Sequence, residues 1–450
     1  MEKQYTDSFI IPVGEYFNME KDSVFVFYNP FSEVIALIDS EFKNELESYS
    51  KEGVIPASDE VRSLIDELSV PDKIQFDLPI LGKIKKMSVI PNLICNFKCS
   101  YCYSAQGRNS TIIKWEWLKT ALDFFVDNKR IALDSDNDKL SLFISGGGEP
   151  MMSWNVTSRC IEYARRKSDS EGLGLNISLI TNGSLLNRDI IAFLKEYGCN
   201  VCISFEVLED LQNEQRKFFD IVDKNIKLLE EMGVNTMLNS TITPLSVGRM
   251  VEMVNRVVAE YPFVVQYTLE PVTGISMFST PEDMRDFYIQ FMDNYLKAKT
   301  IAMDNGLKLR FTFDDALRGI TIRHCPGKFC VTPLGTISIC HLVSSPKENR
   351  YNGCIYGRIN DSGEIIIDYE KYDSLRNKNV FYYKRCEDCF AKWSCGGECM
   401  TRNETYPEEY MEEVCSFNKR FLLHQLLTKI EGDVKDEYGV TLKEYVDSWN

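Results

Sequence analysis

Residues 94–107, "ICNFKCSYCYSAQG", place three cysteines within eight positions, at Cys95, Cys99 and Cys102. The apolar run "KMSVIPNLI" precedes them, so this C-x3-C-x2-C loop closes a predicted strand and can bring three thiolates onto one centre. Closed zinc or iron-sulfur sites take four thiolates; three leave one iron of a cubane cluster open to a further ligand. The plainer readings are a zinc site or cysteines packed in a core.

Outward from the loop, short apolar strands alternate with amphipathic segments. "KLSLFIS", "NISLITN", "NVCISFE", "NTMLNSTIT" and "FVVQYTLEPV" follow the first strand, separated by helix patterns such as "KWEWLKTALDFFV", "SLLNRDIIAFLKEYG" and "KFFDIVDKNIKLLEEMG". Six strands alternating with helices predict a parallel sheet with right-handed crossovers, open or curled into a partial barrel. Chemistry in such folds gathers at the carboxyl ends of the strands, where the cysteine loop, "GGGEP" and "TNG" fall. The N-terminal part reads as a small hairpin, "SVFVFY" and "EVIALID", followed by the helices "SEFKNELESYS" and "SDEVRSLIDELSV".

Composition bounds the function classes. The 450 residues suit two or three domains, and 44% hydrophobic with 26% charged residues is a soluble globular balance. The net charge of −16, from 51 basic and 67 acidic residues without a basic block, argues against a sequence-independent grip on nucleic acid. No signal peptide pattern opens the chain and no eighteen apolar residues run together, so no membrane segment is expected. Fifteen cysteines without an export signal belong in a reducing compartment, which predicts a cytoplasmic protein.

Nine of those cysteines lie between 325 and 415. They read Cys325-x4-Cys330-x4-Gly335-x4-Cys340, then Cys386-x2-Cys389-x5-Cys395-x3-Cys399-x15-Cys415, with Cys354 between. A loop-rich stretch this dense in thiols needs metal to hold it, and paired C-x2-C elements also build zinc sites. Cys160, Cys199 and Cys202 have no partner at ligand spacing and are expected in the core.

The C-x3-C-x2-C loop with Tyr101, followed by "SGGGEP", resembles the radical SAM enzymes, over roughly residues 87–420, and the C-terminal pattern resembles their SPASM extension. The resemblance implies an α/β fold: a partial (β/α)6 barrel (85–310), a SPASM iron-sulfur domain (311–425) and a helical tail (426–450). Residues 1–84 would be a small α+β region, winged-helix-like and leader-binding, or a cap. Three 4Fe-4S clusters and S-adenosylmethionine (SAM) are implied as cofactors. Cys95, Cys99 and Cys102 would hold the SAM-binding cluster, with Gly147, Gly148 and Glu149 at the methionyl amine, Ser204 and Arg216 as further SAM contacts, and Tyr101 near adenine. Glu206 and Val207 depart from the family's Ser-x-Asp-Gly pattern. Cys325, Cys330, Cys340 and Cys399 would hold a first auxiliary cluster and Cys386, Cys389, Cys395 and Cys415 a second. Cys354 could replace Cys330, donate a hydrogen atom or be an ordinary buried residue.

SPASM enzymes mostly modify peptides. The expectation is an oxidoreductase that uses a 5′-deoxyadenosyl radical on a ribosomally made precursor peptide with a leader, giving a thioether, ether or carbon-carbon cross-link or an epimer, with flavodoxin or ferredoxin as electron donor. Formylglycine formation by a sulfatase-maturating enzyme is the alternative; there an Asp follows the cysteine matching Cys340, whereas this chain has His341, a candidate base as neutral imidazole. A zinc-stapled interaction protein without catalysis is the reading from another class. Leader binding would add the peptide as a strand to the N-terminal sheet.

Overall fold

Each of the six expected strands forms, and consecutive strands pair in parallel register. They are β4 (Lys86–Val89), β5 (Leu140–Ile144), β6 (Leu175–Thr181), β7 (Cys199–Ser204), β8 (Thr236–Ile242) and β9 (Gln266–Pro271). They follow β1 (Phe9–Pro12), β2 (Val24–Asn29) and β3 (Val34–Asp39) of a separate sheet. The computed structural model describes residues 7–68, 80–127, 129–130, 139–317, 319–325 and 327–449; residues 69–79 of the N-terminal region lie outside it.

The barrel strands alternate buried and half-buried positions, as in β6 and β8, because one face packs under helices and the other faces a lumen. The helices carry sequence-encoded starts: Asn187 accepts from the Ile190 amide at 3.0 Å, and Thr280 and Asp283 form a reciprocal capping box around Pro281. The sheet extends at both ends. β10 (Leu309–Arg310) adds in parallel beside β9. On the other side β11 (Phe329–Val331) pairs in parallel with β4 and continues through the antiparallel strands β12 (Thr336–Ser338), β13 (Ile355–Ile359) and β14 (Ile365–Ile367). Among the described residues the result is one eleven-stranded open sheet, running from β10 through β9 and β4 to β14. The expected boundary at 310/311 is therefore crossed by a continuous sheet, and the one at 425/426 by an unbroken helix, Glu408–Tyr438, with Pro407 at its start and Gly439, φ 71°, at its end.

The N-terminal hairpin gains a third strand, giving an antiparallel sheet in the order β1-β2-β3. β2 is buried at all six positions. Phe25 and Phe27 pack with Ile38, Leu46, Val61 and Leu64 under the helices Ser40–Glu52 and Asp59–Glu67, while Val24, Val26 and Tyr28 join the main core. That two-sided burial explains why "VFVFY" is a continuous apolar run.

Candidate functional site

The cysteine loop is fastened to the glycine loop by backbone and by one buried side chain. Gly148 N donates to Asn92 O at 3.0 Å and Glu149 N to Ile94 O at 2.7 Å, so the pairing of β4 with β5 continues into the loops. Asn92, fully buried, donates through Nδ2 to Glu149 O and Ser153 Oγ at 2.9 and 2.6 Å and accepts from the Ile94 amide at 2.8 Å. A Cβ on Gly148 would stand 2.0 Å from Ile94 O. The glycine is therefore required by the packing of loop on loop, independently of any ligand.

These loops open onto a cavity of about 510 Å3 inside the sheet's carboxyl-end curve. Its lining includes Cys95, Cys99, Cys102, Tyr101, Gly147, Gly148, Glu149, Ser204 and Arg216, so the structure brings together every residue expected around the first centre. Burial pushes the Cys95 and Cys99 thiols up, opposed by Arg108 at the first and Arg216 at the second. Arg108 Nη2 donates to Cys102 Sγ at 3.0 Å. Glu149, also raised by burial, accepts from Thr181 Oγ1 and the Met151 amide through Oε1 and from the Asn182 amide through Oε2. Its Oε2 keeps capacity for one more donor.

Glu206, where the resemblance expects Asp, turns inward. Tyr101 donates its hydroxyl to Glu206 Oε1, and Arg216 Nη1 donates to the same hydroxyl at 2.8 Å. Burial pushes Glu206 up to about 7, with Arg216 and the Tyr101 bond pulling the other way. At this cavity Arg108 Nε and Arg216 Nε are buried without a hydrogen-bond partner among the described residues; Gln215 Nε2 and Glu206 Oε2, on residues outside its lining, are likewise unpartnered. Orphaned polar atoms and converging thiols at one cavity fit a thiolate-held cluster with a polar, charged ligand.

A second cavity of about 500 Å3 is lined by Cys325, Cys340 and Cys399, with Lys328, Arg350 and Arg402 among its cations. Glu270, Thr273, Lys328 and His341 line both cavities and form the wall between them. Lys328 Nζ lies 2.7 Å from His341 Nδ1. An ammonium only donates, so Nδ1 accepts and the neutral ring carries its proton on Nε2. Burial and the Lys328 charge push His341 down to about 3. Glu270, at the end of β9, accepts from Thr312 Oγ1 at 2.8 Å and is pushed up to about 7 by burial.

Cys386, Cys389, Cys395 and Cys415 form a third group: Cys395 lies within reach of the charges of Cys415, Cys389 and Cys386, and Cys415 within reach of those of Cys389 and Cys386. Asn418 Nδ2 reaches Cys395 Sγ at 3.4 Å and Glu398 Oε2 at 2.7 Å. Gly396 presses this turn onto the backbone just before Cys325, since a Cβ there would lie 2.3 Å from His324 N. Cys330 and Cys354 are fully buried and line neither cavity. Cys160 and Cys199 are buried neighbours raised to about 12, whereas Cys202 lines the first cavity.

Sequence reasoning did not single out Asn92, Arg108, Glu270 or Lys328. Arg108 lies six residues after Cys102 and Lys328 two before Cys330, which are the only local signals available; Glu270 is announced by nothing nearer than a strand end.

Known proteins agree with this architecture. Residues 89–257 match the Radical SAM superfamily. The radical SAM cyclopropyl synthase TigE of Paramaledivibacter caminithermalis is 22% identical over 71% of this chain and 68% of its own length. The cysteine-type anaerobic sulfatase-maturating enzyme of Clostridium perfringens is 23% identical over 71% of this chain and 89% of its own. Streptococcus suis SuiB bound to the precursor peptide SuiA superposes with a TM-score of 0.52 at 15% identity, covering 91% of this chain and 98% of that one. Among the described residues no helix is long and apolar enough to cross a membrane.

Proposed function

From a chain that carries a radical SAM domain over residues 89–257, we propose an enzyme that modifies a ribosomally made precursor peptide. The observation that carries the reading is the pair of thiol-lined cavities with a shared polar wall: one fits a SAM-binding cluster, the other an auxiliary cluster, and a substrate side chain would lie between them. When bound, the first cluster and SAM supply a 5′-deoxyadenosyl radical that takes a hydrogen atom from the substrate.

The chain's own residues would then act as follows. Cys95, Cys99 and Cys102 hold the cluster, and Arg108 neutralises part of the thiolate charge at Cys102. The free acceptor site on Glu149 takes the methionyl amine, and Arg216 Nε, unpartnered and buried, takes the carboxylate. Ser204 and Tyr101 line the rest of the same cavity. Cys325, Cys340, Cys399 and a fourth thiol hold the first auxiliary cluster; Cys386, Cys389, Cys395 and Cys415 hold the second.

Loss of a substrate proton needs an acceptor in the wall. His341 has its one acceptor nitrogen held by Lys328, so Glu270, with a carboxyl near neutrality, is the better base and His341 a neutral donor through Nε2. The absence of Asp after Cys340 also separates this site from the formylglycine pattern. Residues 1–84 would bind the leader on the edge of the β1-β2-β3 sheet.

Anaerobic reconstitution followed by reduction with SAM tests the reading. About twelve irons per chain and 5′-deoxyadenosine are expected, and Cys95, Cys99 and Cys102 replaced together by Ala should abolish SAM cleavage while sparing the auxiliary iron. Co-expression with a neighbouring short peptide should give a loss of two mass units for a cross-link. Zinc retention without SAM cleavage sinks the proposal.

A further inference from the structure

The first auxiliary site has three cavity-lining thiols and two buried cysteines able to compete for the fourth place. Building on the cluster assignment just proposed, we infer that Cys354, and not Cys330, completes the set with Cys325, Cys340 and Cys399.

Cys330 is the middle residue of β11, paired on one side with Ser88 of β4 and on the other with Ser338 of β12. Partners in register point to the same sheet face, and Ser88 lines the first cavity, not the second. A ligand role for Cys330 would require its thiol to leave that face while its backbone stays locked between two strands. Cys340 is its neighbour among the cavity thiols.

Cys354 ends the short helix Tyr351–Cys354, immediately before β13. Its carbonyl accepts from the Ile339 amide at 3.0 Å, which holds it alongside the residue preceding Cys340. Its thiol lies beside the Cys340 sulfur, and Cys399 is also close enough for their charges to interact. Cys340 and Cys399 both line the cavity, as does Arg350 at the start of the same helical turn. Cys354 therefore touches or faces two of the three cavity thiols and Cys330 one. Lys328, Arg350 and Arg402 supply positive charge to offset four thiolates in an otherwise acidic protein.

The test uses the full chain with Cys95, Cys99 and Cys102 replaced by Ala, reconstituted anaerobically, so that only auxiliary iron is counted. This parent should bind about eight irons. Adding Cys330→Ala should leave about eight; adding Cys354→Ala should lower the count by one to four and give a three-iron signal in the electron paramagnetic resonance of the oxidised protein. Cys354→Ser, which keeps the size and offers an oxygen ligand, should retain iron with an altered spectrum, and gel filtration and circular dichroism exclude loss through misfolding. Iron lost from Cys330→Ala, alone or together with Cys354→Ala, overturns the inference, as does full retention in both. A parent that binds zinc and no iron would instead defeat the cluster assignment itself.

Discussion

Glu206 shows how one departure from a family pattern can be read in a single side chain. Its carboxyl is fully buried, held up at about 7 against an ordinary 4.5, and bonded by Tyr101. A group whose folded pKa is raised binds more protons in the folded state, so its contribution is present in full below about 4.5 and is lost as pH rises through 7. Glu206→Gln keeps the shape and removes that titration. Between pH 5 and 8 the stability of the parent should fall relative to the variant by up to about 3 kcal/mol, because Glu270 and His341 titrate in both proteins and cancel. Parallel curves of unfolding midpoint against pH for the two loaded proteins would contradict this. At the same scale Arg108 and Glu270 could not be read in advance, since neither is placed by spacing; each meets its partner only when Arg108 folds back over the cysteine loop or β9 ends at the cavity wall.

At the scale of elements, what was legible depended on length and on chemistry. The six barrel strands run from four to seven residues, and all but the shortest, β4, alternate in burial, enough to carry a period of two. β10, β11, β12 and β14 span two or three residues, and "LR" or "TIS" carry no period at all; their pairing is decided by the sheet they join. β1 is four residues ending in Pro12, which reads against a strand until β2 is present beside it. The cysteine groups stand out in the sequence because ligand spacing can be read without knowledge of the fold, whereas any choice between Cys330 and Cys354 depends on which sheet face and which turn each occupies. The glycine loop combines both cases. Its sequence is recognisable, but the reason for Gly148 is the Ile94 carbonyl 2.0 Å from where a Cβ would be. Gly148→Ala should cost about 3 kcal/mol through overpacking, displace the cysteine loop and reduce iron from about twelve to about eight per chain. Gly172→Ala, at a helix end where a Cβ meets nothing, should cost about 1 kcal/mol for its left-handed backbone and leave iron unchanged. Equal iron contents in the two variants would show that the loop contact is not what holds the first site.

At the scale of the molecule, the N-terminal region and the turn that carries Cys389 and Cys395 share a joint. Trp393, 1% exposed, lies between Cys389 and Cys395 in sequence, meets Phe31 edge-on at 4.9 Å between ring centroids and donates from Nε1 to Asp7 at 3.1 Å. Lys392 pairs with the same Asp7 carboxylate. One residue thus carries apolar contact towards the N-terminal region while its own backbone belongs to a cysteine-bearing turn. Removing the indole should cost about 3–5 kcal/mol, the range for emptying a large aromatic site. The loss should appear on both sides of the joint. Trp393→Ala should expose the N-terminal region to limited proteolysis and, in the chain lacking the first cluster, lower iron from about eight towards four. Asp7→Asn, which removes only the charge from the contact, should leave the iron count intact and weaken the joint by about 1 kcal/mol or less. If Trp393→Ala opens the N-terminal region with full iron retained, the two regions meet at this residue without depending on each other, and the N-terminal region acts as a separable module.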